Sequence, residues 1–178
     1  MDPVADLKNF YLETERLLLV PISHDYDEDI FREFTPEVTV HLFPQPSESL
    51  SDTSKFIGGS VENMLKGDEL QLVALDKETK EFLGCIGLHK LKEGTPELGL
   101  WFKKSVWGKG YGKESMLSLK NWAQENLIHE ELSYPVAKEN FPSRKIAEFL
   151  GGEVIREYIG KNAKGKEMED VEYRIKFK

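Results

Sequence analysis

Short apolar or alternating runs recur along the chain, and clusters of glycine, proline and polar residues separate them. Runs of this length and composition are typical of β-strands. Seven segments show the pattern, at residues 16–21, 69–76, 81–91, 95–102, 131–136, 153–159 and 171–177. Turn signals at 76–80 and 92–94 leave only short links between three of these segments, which predicts an antiparallel meander.

Longer segments between these runs place apolar residues at helical spacing, most clearly after the glycine at 112. Helices are therefore predicted at residues 26–34, 47–66, 112–126 and 140–150. Gly151 is a stop signal for the last of them. The order of strands and helices predicts an α+β fold, with a mixed, mostly antiparallel sheet of about seven strands and flanking helices.

Length and composition favour one soluble unit. The chain of 178 residues is in the size range of a single domain, and no repeat, low-complexity tract or linker divides residues 1–178. The N-terminal segment has acidic residues where a signal peptide is basic, and its apolar runs are too short to span a bilayer. We therefore expect a cytoplasmic protein that does not bind a membrane.

Cysteine, histidine and net charge argue against several classes of protein. Cys85 is the only cysteine, so no internal disulfide forms, and the four histidines are scattered without the spacing of metal ligands. No metal site is expected. With 24 basic and 32 acidic residues the net charge is −8, which argues against nucleic-acid binding.

One stretch has the opposite charge, residues 101–115 with the sequence WFKKSVWGKGYGKES. Residues 101–120 contain five lysines and a single carboxylate, Glu114. A run of lysines is usually a solvated surface. This one leaves a predicted strand, passes three alternating glycines and enters a predicted helix. Backbone N–H groups at a helix N-terminus, beside glycines that allow close approach, can bind a phosphate group.

Two known phosphate-binding motifs do not fit this stretch. A P-loop needs a glycine five residues before Gly112, where Trp107 stands, and Ser or Thr after Lys113, where Glu114 stands. A dinucleotide-binding fingerprint needs GxGxxG after the first strand of a βαβ unit, whereas these glycines alternate and follow antiparallel strands. Both classes are excluded.

The stretch resembles the acetyl-CoA signature of the GNAT acetyltransferase superfamily, which is Gln or Arg, two residues, Gly, one residue, then Gly or Ala. Residues 107–112 occupy those six positions, with Trp107 in place of Gln or Arg. The sequence is similar to the WGKGYxxE form of the branch that acetylates N-terminal amines of ribosomal proteins, and Glu114 fits that form.

Three further segments resemble the same branch, in the expected order. Residues 14–19 (TERLLL) are similar to its opening strand, and residues 97–102 (ELGLWF) are similar to its fourth strand. Residues 140–151, with Asn140 and Ser143, are similar to its last helix. The resemblance covers most of the chain and implies a GNAT-like sheet that is splayed between strands four and five.

The resemblance also implies acetyl-CoA as cosubstrate. Backbone amides of the glycine loop hold its pyrophosphate, and the main chain of the fourth strand pairs with its pantetheine arm. Leu100 N–H, left free by the splay, faces the thioester carbonyl and acts as an oxyanion hole. The implied cofactor-binding residues are Leu100, Phe102, Trp107, Gly108, Lys109, Gly110, Tyr111, Gly112, Lys113, Asn140 and Ser143.

Acetyl transfer to an amine needs a base for the amine and a proton donor for the departing thiolate. Glu97 is the predicted base, acting through a water, and its other interpretation is a surface partner for a lysine. Ala147 stands where many GNAT enzymes have the tyrosine that protonates the thiolate. Ser143 is therefore the first candidate for that role and Tyr134 the second. Ser143 and Asn140 could each instead cap the helix.

The predicted activity is acetyl transfer to a primary amine by direct attack in a ternary complex. The resemblance favours a protein N-terminus, such as that of a ribosomal protein. An α-amine, with a pKa of about 7.7–8.0 against about 10.4 for lysine, also needs less help from a base at neutral pH. Antibiotics and polyamines stay open as acceptors. Alternatives are a non-catalytic acyl-CoA-binding or regulatory domain and an interaction module. Both a monomer and a homodimer are compatible with the resemblance.

Overall fold

The computed structural model describes residues 9–178, and its centre is one eight-stranded sheet. The strands are β1 (Leu12–Glu13), β2 (Leu17–Pro21), β3 (Leu70–Asp76), β4 (Phe82–His89), β5 (Glu97–Phe102), β6 (Glu131–Ala137), β7 (Glu153–Lys161) and β8 (Glu167–Lys176). Their order is β1-β2-β3-β4-β5-β6-β8-β7, and β5 and β6 are the one parallel pair within these residues.

This architecture confirms the predicted α+β fold with a mixed, mostly antiparallel sheet. The sheet has eight strands and not seven, because Leu12–Glu13 pairs with β2 as a two-residue strand that is too short to show periodicity. Strand β8 begins at Glu167, before the predicted start at 171. Of its first four residues, Met168 is the one apolar side chain and none is buried, so this part of the strand carries no clear apolar signal.

Helices lie on both faces of the sheet. They are α1 (Asp27–Glu33), α2 (Leu50–Leu65), α3 (Tyr111–Asn126) and α4 (Phe141–Phe149), close to the predicted segments. Successive residues of β5 face opposite sides. Leu100 lies beside Gly112 of α3 and Ile146 of α4, whereas the Trp101 ring is 4.8 Å from that of Phe34, which follows α1. The sheet therefore has α3 and α4 on one face and the α1 region on the other.

The sheet opens between β5 and β6. Ser133 N–H donates to Pro96 O at 2.8 Å, and the register of the two strands holds the single pair Glu97 and Ser133 among the described residues. In a continued parallel ladder the next bond donated by β6 would come from the backbone nitrogen of residue 135. Pro135 has no N–H, so this bond cannot form and the strands diverge. One proline thus determines where the expected splay begins.

Two peripheral segments meet at the border of this gap. The segment between α1 and α2 contacts the tip of the β7–β8 hairpin, where Ala163 N–H donates to Phe43 O at 2.8 Å. Gln45 Nε2 stabilises the same segment by donating to the carbonyl oxygens of Thr39, Leu42 and Pro44. The border is therefore built from parts of the chain that are far apart in sequence.

Candidate active site

The gap places a backbone donor of β5 beyond the last residue pair that joins β5 to β6. Lys103 N–H donates to Leu83 O on β4 at 2.8 Å, and backbone directions alternate along a strand, so Leu100 N–H points towards β6. In a continued ladder it would bond to the carbonyl of Pro135. The pairing of β5 with β6 instead ends at Glu97 and Ser133, and Leu100 and Pro135 both line the cleft beyond that pair. Leu100 N–H is therefore directed into the gap, where the resemblance expects an oxyanion hole.

A cleft of about 290 Å³ lies at the gap. Its walls come from β5, β6, the start of α4 and the β7–β8 hairpin. Four predicted site residues line it, namely Leu100, Tyr134, Asn140 and Ser143. The fold thus brings together residues that the sequence places on three different elements.

Tyr134 and Ser143, predicted as alternative proton donors, contact each other. Their hydroxyl oxygens are 2.8 Å apart. Burial raises the pKa of Tyr134 well above its ordinary value, and the hydrogen bond to Ser143 offsets only part of this effect. The phenol therefore stays protonated at neutral pH. The two hydroxyls form one proton-bearing pair at the edge of the cleft.

Asn140 is the N-cap of α4. Its side-chain oxygen accepts a hydrogen bond from Ser143 N–H at 3.3 Å. The helix-cap interpretation therefore applies to Asn140, whereas the Ser143 side chain bonds to Tyr134. Ala147, one turn further along the helix, is fully buried in the core.

The glycine loop joins β5 to α3 with an open backbone. Gly108 and Gly110 have φ angles of 77° and 84°, in the left-handed region that favours glycine. A Cβ added at Gly108 would meet no atom within 4 Å, so space is free beside the N-terminus of α3. At Gly112 an added Cβ would lie 2.7 Å from Ile146 Cδ1, so glycine lets α3 pack closely against α4.

Glu114, in the first turn of α3, fixes this loop to the segment before β2. Its carboxylate accepts hydrogen bonds from Thr14 Oγ1 at 2.6 Å, from Arg16 N at 2.9 Å and from Arg16 Nε at 2.7 Å. Arg16 also donates to Lys109 O at 3.0 Å, and its guanidinium lies 4.4 Å from the centre of the Tyr111 ring. Glu114 of the WGKGYxxE form is therefore joined by hydrogen bonds to Thr14 and Arg16 of the TERLLL segment.

The same contacts set the ionisation of Glu114. Burial alone would raise the pKa of its carboxyl, but the hydrogen bonds from Thr14 and Arg16 outweigh burial and hold the pKa below its ordinary value. The side chain is therefore charged at neutral pH, as its contact with Arg16 requires.

Trp107 connects the loop to the end of β5. Its indole Nε1 donates to Phe102 O at 2.8 Å, and the Phe102 and Tyr111 rings stack with their centres 6.3 Å apart. Because the Phe102 carbonyl already accepts this bond, the main-chain contact with a cofactor arm predicted for Phe102 depends mainly on its N–H. Trp107 itself is half exposed and has a structural contact.

Most lysines of the basic stretch have partners elsewhere in the fold. Lys103 bonds to Glu81, Lys104 to Glu37 and Lys120 to the carbonyl of Leu150. Two lysines, Lys109 and Lys113, adjoin the glycine loop, and the Lys113 ammonium lies 5.2 Å from the centre of the Phe149 ring. Electrostatic attraction for an anion at the loop therefore rests on these two residues.

Glu97, the predicted base, forms an ion pair with Lys90, whose Nζ is 2.6 Å from Glu97 Oε1. Its side chain does not line the cleft at the gap. This contact agrees with the other interpretation of Glu97, as a surface partner for a lysine. To act as a base, Glu97 would have to separate from Lys90. The catalytic role of Glu97 stays a prediction.

A larger cleft, of about 700 Å³, lies on the face of the sheet next to α1 and α2. Gly99 and Leu100 line both clefts, so the two meet at the gap. Phe34, Phe43 and Phe56 give the larger cleft an aromatic wall. The sequence shows no motif for this cleft, because its residues come from many separate segments.

Sequence reasoning also missed three titratable residues that line the clefts. His89 and Glu69 line the larger cleft, and His89 Nδ1 is 3.1 Å from Glu69 Oε2. Asp170 of β8 lines the smaller cleft, and burial raises its pKa. The antiparallel pairing of β3 and β4 brings His89 and Glu69 together, and no local motif reveals that register.

Other residue classes add no candidate site in the described part of the chain. Cys85 is buried, and burial raises the pKa of its thiol, so it is a core residue. Within residues 9–178 no group of His, Cys, Asp and Glu side chains is placed to hold a metal ion. The helices described there are too short or too polar to cross a membrane.

The open sheet and the glycine loop at the head of α3 define an acetyltransferase fold, and comparison with known proteins agrees. The family model described as an acetyltransferase (GNAT) domain matches residues 16–153. The chain therefore belongs to the GNAT acetyltransferase family, as the resemblance indicated. Among curated proteins it is 28% identical over 162 residues to N-acetyltransferase p20 of Bacillus licheniformis, a protein named as uncharacterized, covering 87% of this chain and 89% of that one.

Solved structures show the same fold at low identity. An acetyltransferase of Salmonella typhimurium that modifies the N-terminal serine of ribosomal protein L7/L12 matches with a TM-score of 0.78 at 14% identity, covering 95% of this chain and 100% of that one. A GNAT acetyltransferase of Bacillus anthracis matches with a TM-score of 0.79 at 19% identity, covering 94% and 98%. The neighbours thus include the branch that the sequence resembles.

Proposed function

We propose that the chain is an N-acetyltransferase that moves the acetyl group of acetyl-CoA to a primary amine by direct attack in a ternary complex. One observation carries the proposal: Leu100 of β5 and the Ser143–Tyr134 pair line the same cleft, at the point where β5 and β6 separate. The glycine loop follows the end of the same strand. Membership of the acetyltransferase family supports the assignment.

The residues at the gap fit acetyl-CoA. An extended arm can lie along the unpaired edge of β5, as a strand would. The open space at Gly108, beside the N-terminus of the 16-residue helix α3, suits a pyrophosphate, and Lys109 and Lys113 adjoin it. Bound there, acetyl-CoA supplies the activated acetyl group.

The chain's own groups then have distinct tasks. Leu100 N–H donates to the carbonyl oxygen on which negative charge develops. Ser143 and Tyr134 hold a proton at the cleft for the departing sulfur. Glu97 is the carboxylate that sequence reasoning assigns to the amine, and its ion pair with Lys90 has to open first.

We favour a protein N-terminal amine as the acceptor. The Salmonella neighbour modifies an N-terminal serine, which supports this choice. An α-amine also has a much larger unprotonated fraction near neutral pH than a lysine side chain, because its pKa is about 7.7–8.0 against about 10.4. The proposed enzyme is one cytoplasmic domain, acting as a monomer or homodimer, and the proposal includes no metal, nucleic acid or membrane.

Calorimetric titration with acetyl-CoA, with CoA and ATP as controls, tests the proposal first. Micromolar binding of the CoA compounds and not of ATP is expected. An acceptor screen follows, starting with N-terminal peptides of ribosomal proteins. Binding of acetyl-CoA without transfer to any amine would favour a non-catalytic acyl-CoA-binding domain, and absence of binding would favour an interaction module.

A further inference from the structure

We propose that His89, oriented by Glu69, is the base that takes the proton from the acceptor amine, and that the acceptor reaches it through the larger cleft. This inference rests on the proposed acetyltransferase function. It gives His89 a role that sequence reasoning assigned to Glu97.

The contact with Glu69 fixes the state of the imidazole ring. A carboxylate can only accept hydrogen bonds, so His89 Nδ1, 3.1 Å from Glu69 Oε2, carries the hydrogen. In the neutral ring, Nε2 then has a free lone pair. A carboxylate behind a histidine orients the ring and stabilises the cation that forms on proton uptake. The pair therefore has the chemistry of a base.

Two glycines leave the space that Nε2 occupies. A Cβ on Gly99 would lie 3.3 Å from His89 Nε2, and a Cβ on Gly87 would lie 3.1 Å from it. Nε2 thus lies over Gly99, the residue immediately before Leu100. An amine that approaches the carbonyl held by Leu100 N–H from the larger cleft comes within reach of Nε2, directly or through one water.

The surroundings distinguish His89 from Glu97. The two residues are cross-strand partners and face the same side of the sheet. Lys90 engages the Glu97 carboxylate, whereas His89 lines the larger cleft. The charged groups around the imidazole are Glu69 beside it, the Glu97–Lys90 pair on the β5 side and Lys55 of α2, which lines the same cleft.

The proton balance is complete with these groups. The acceptor enters as an ammonium ion and gives one proton to His89 Nε2, which passes it to solvent. The free amine then forms the C–N bond, and the C–S bond breaks. The amine nitrogen then loses a second proton to solvent. The Ser143–Tyr134 pair gives one proton to the thiolate and regains one from solvent. The products are the acetylated amine and CoA with its thiol protonated.

The principal test is His89→Gln, assayed with an N-terminal peptide across pH. We expect kcat to fall by about 100-fold at pH 7 with unchanged acetyl-CoA affinity, a size typical of a lost general base. The defect should shrink as pH rises past the acceptor's own pKa of about 8, because solvent then supplies free amine. A purely structural role for His89 would give a defect that does not depend on pH in this way.

Glu69 is tested as a positioning residue. Glu69→Ala should lower kcat by about 10-fold, and Glu69→Gln, which keeps an acceptor for Nδ1–H, should restore most of it. His24→Gln is the matched control. His24 also contacts a carboxylate, with Nδ1 3.1 Å from Asp27 Oδ1, but it lines neither cleft. The activity of His24→Gln should therefore equal that of wild type.

The outcomes separate the inference from the proposed function. If wild type transfers acetyl and His89→Gln retains its rate at pH 7, the inference is wrong and the function stands. A pH-dependent defect in Glu97→Gln or Asp170→Asn, and not in His89→Gln, assigns the base to that carboxylate. If wild type binds acetyl-CoA but acetylates no amine, the function itself fails. Acetyl-CoA affinity and melting temperature report whether each variant is folded, and Glu69→Ala remains decisive should His89→Gln misfold.

Discussion

Ser143 and Tyr134 share one hydrogen bond, but only Ser143 lies on the helix that resembles the family's cofactor-binding helix. We expect Ser143→Ala to lower kcat by about 100-fold, because the thiolate then loses its proposed proton donor. Tyr134→Phe should have a smaller effect if the phenol acts through Ser143. The measurement is kcat at saturating acetyl-CoA, with cofactor affinity measured by calorimetry. Wild-type kcat in Ser143→Ala would remove the hydroxyl pair from the mechanism.

Single residues also show the limit of prediction from sequence. Ser143 was found because it follows Asn140 in a short motif, and its contact with Tyr134 follows once β6 lies beside α4. His89 and Glu69 are 20 residues apart and belong to no motif. Their contact depends on the register of β3 against β4, which local periodicity does not encode.

At the scale of elements, Glu114 joins α3, the glycine loop and the segment before β2. Glu114→Gln keeps the shape of the side chain and removes the negative charge of the carboxylate, which accepts hydrogen bonds from Thr14 and Arg16. We expect the free energy of unfolding at pH 7 to fall by about 1 kcal/mol, since the contact is partly exposed, and acetyl-CoA to bind more weakly. Denaturant unfolding and calorimetry measure the two effects.

The difference in free energy of unfolding between wild type and Glu114→Gln should depend on pH in one direction. The folded state lowers the pKa of Glu114, so its stabilising effect is complete above the ordinary value of 4.5 and is lost as pH falls through the lowered pKa. Wild type and Glu114→Gln should therefore differ at pH 7 and converge in acid. A difference that stays constant from pH 7 into acid would show that charge is not the cause.

Most elements follow from apolar spacing, because each strand and helix has its own hydrophobic pattern. The exceptions lack such a pattern. Leu12–Glu13 is a strand through its pairing with β2, and the gap between β5 and β6 depends on the hydrogen bond that Pro135 cannot donate. The sequence shows Pro135, but it does not show that the backbone nitrogen of this residue faces β5. The effect of the proline on strand pairing could therefore not be predicted.

Pro135→Ala tests that explanation of the gap. Alanine restores an N–H that can donate to Leu98 O, so the ladder can extend and Leu100 N–H can pair with β6. We expect acetyl-CoA affinity to fall several-fold while the melting temperature is kept or raised. Calorimetry and thermal unfolding measure both. Unchanged affinity would mean that the proline does not keep the strands apart.

At the scale of the whole molecule, the two clefts meet at β5, and in the proposed mechanism they are separate routes for donor and acceptor. Among the described residues that line the larger cleft, Glu69 is the one carboxylate, and Lys55 is a cation there. A polyamine carries several positive charges and finds no second carboxylate in this lining. Its aromatic wall instead suits an acceptor with one amine and an apolar neighbour.

We therefore expect peptides with one free α-amine and an apolar second residue to have kcat/KM at least about 10-fold above that of spermidine, the equivalent of about 1.4 kcal/mol in transition-state binding. The assay is release of CoA at fixed acetyl-CoA, with acetylated peptides as blanks. A preference for spermidine would indicate that the acceptor's charges are held by groups outside this cleft.

The gap between β5 and β6 has a further consequence for the lifetime of the protein. An unpaired edge inside a sheet is a place where local opening costs little free energy, and such openings admit proteases. A ligand that completes the edge as an additional strand closes it, and at 100 times its Kd it adds about 2.7 kcal/mol to stability. The supply of acetyl-CoA would then determine how long each copy of the enzyme survives, as well as how fast it works.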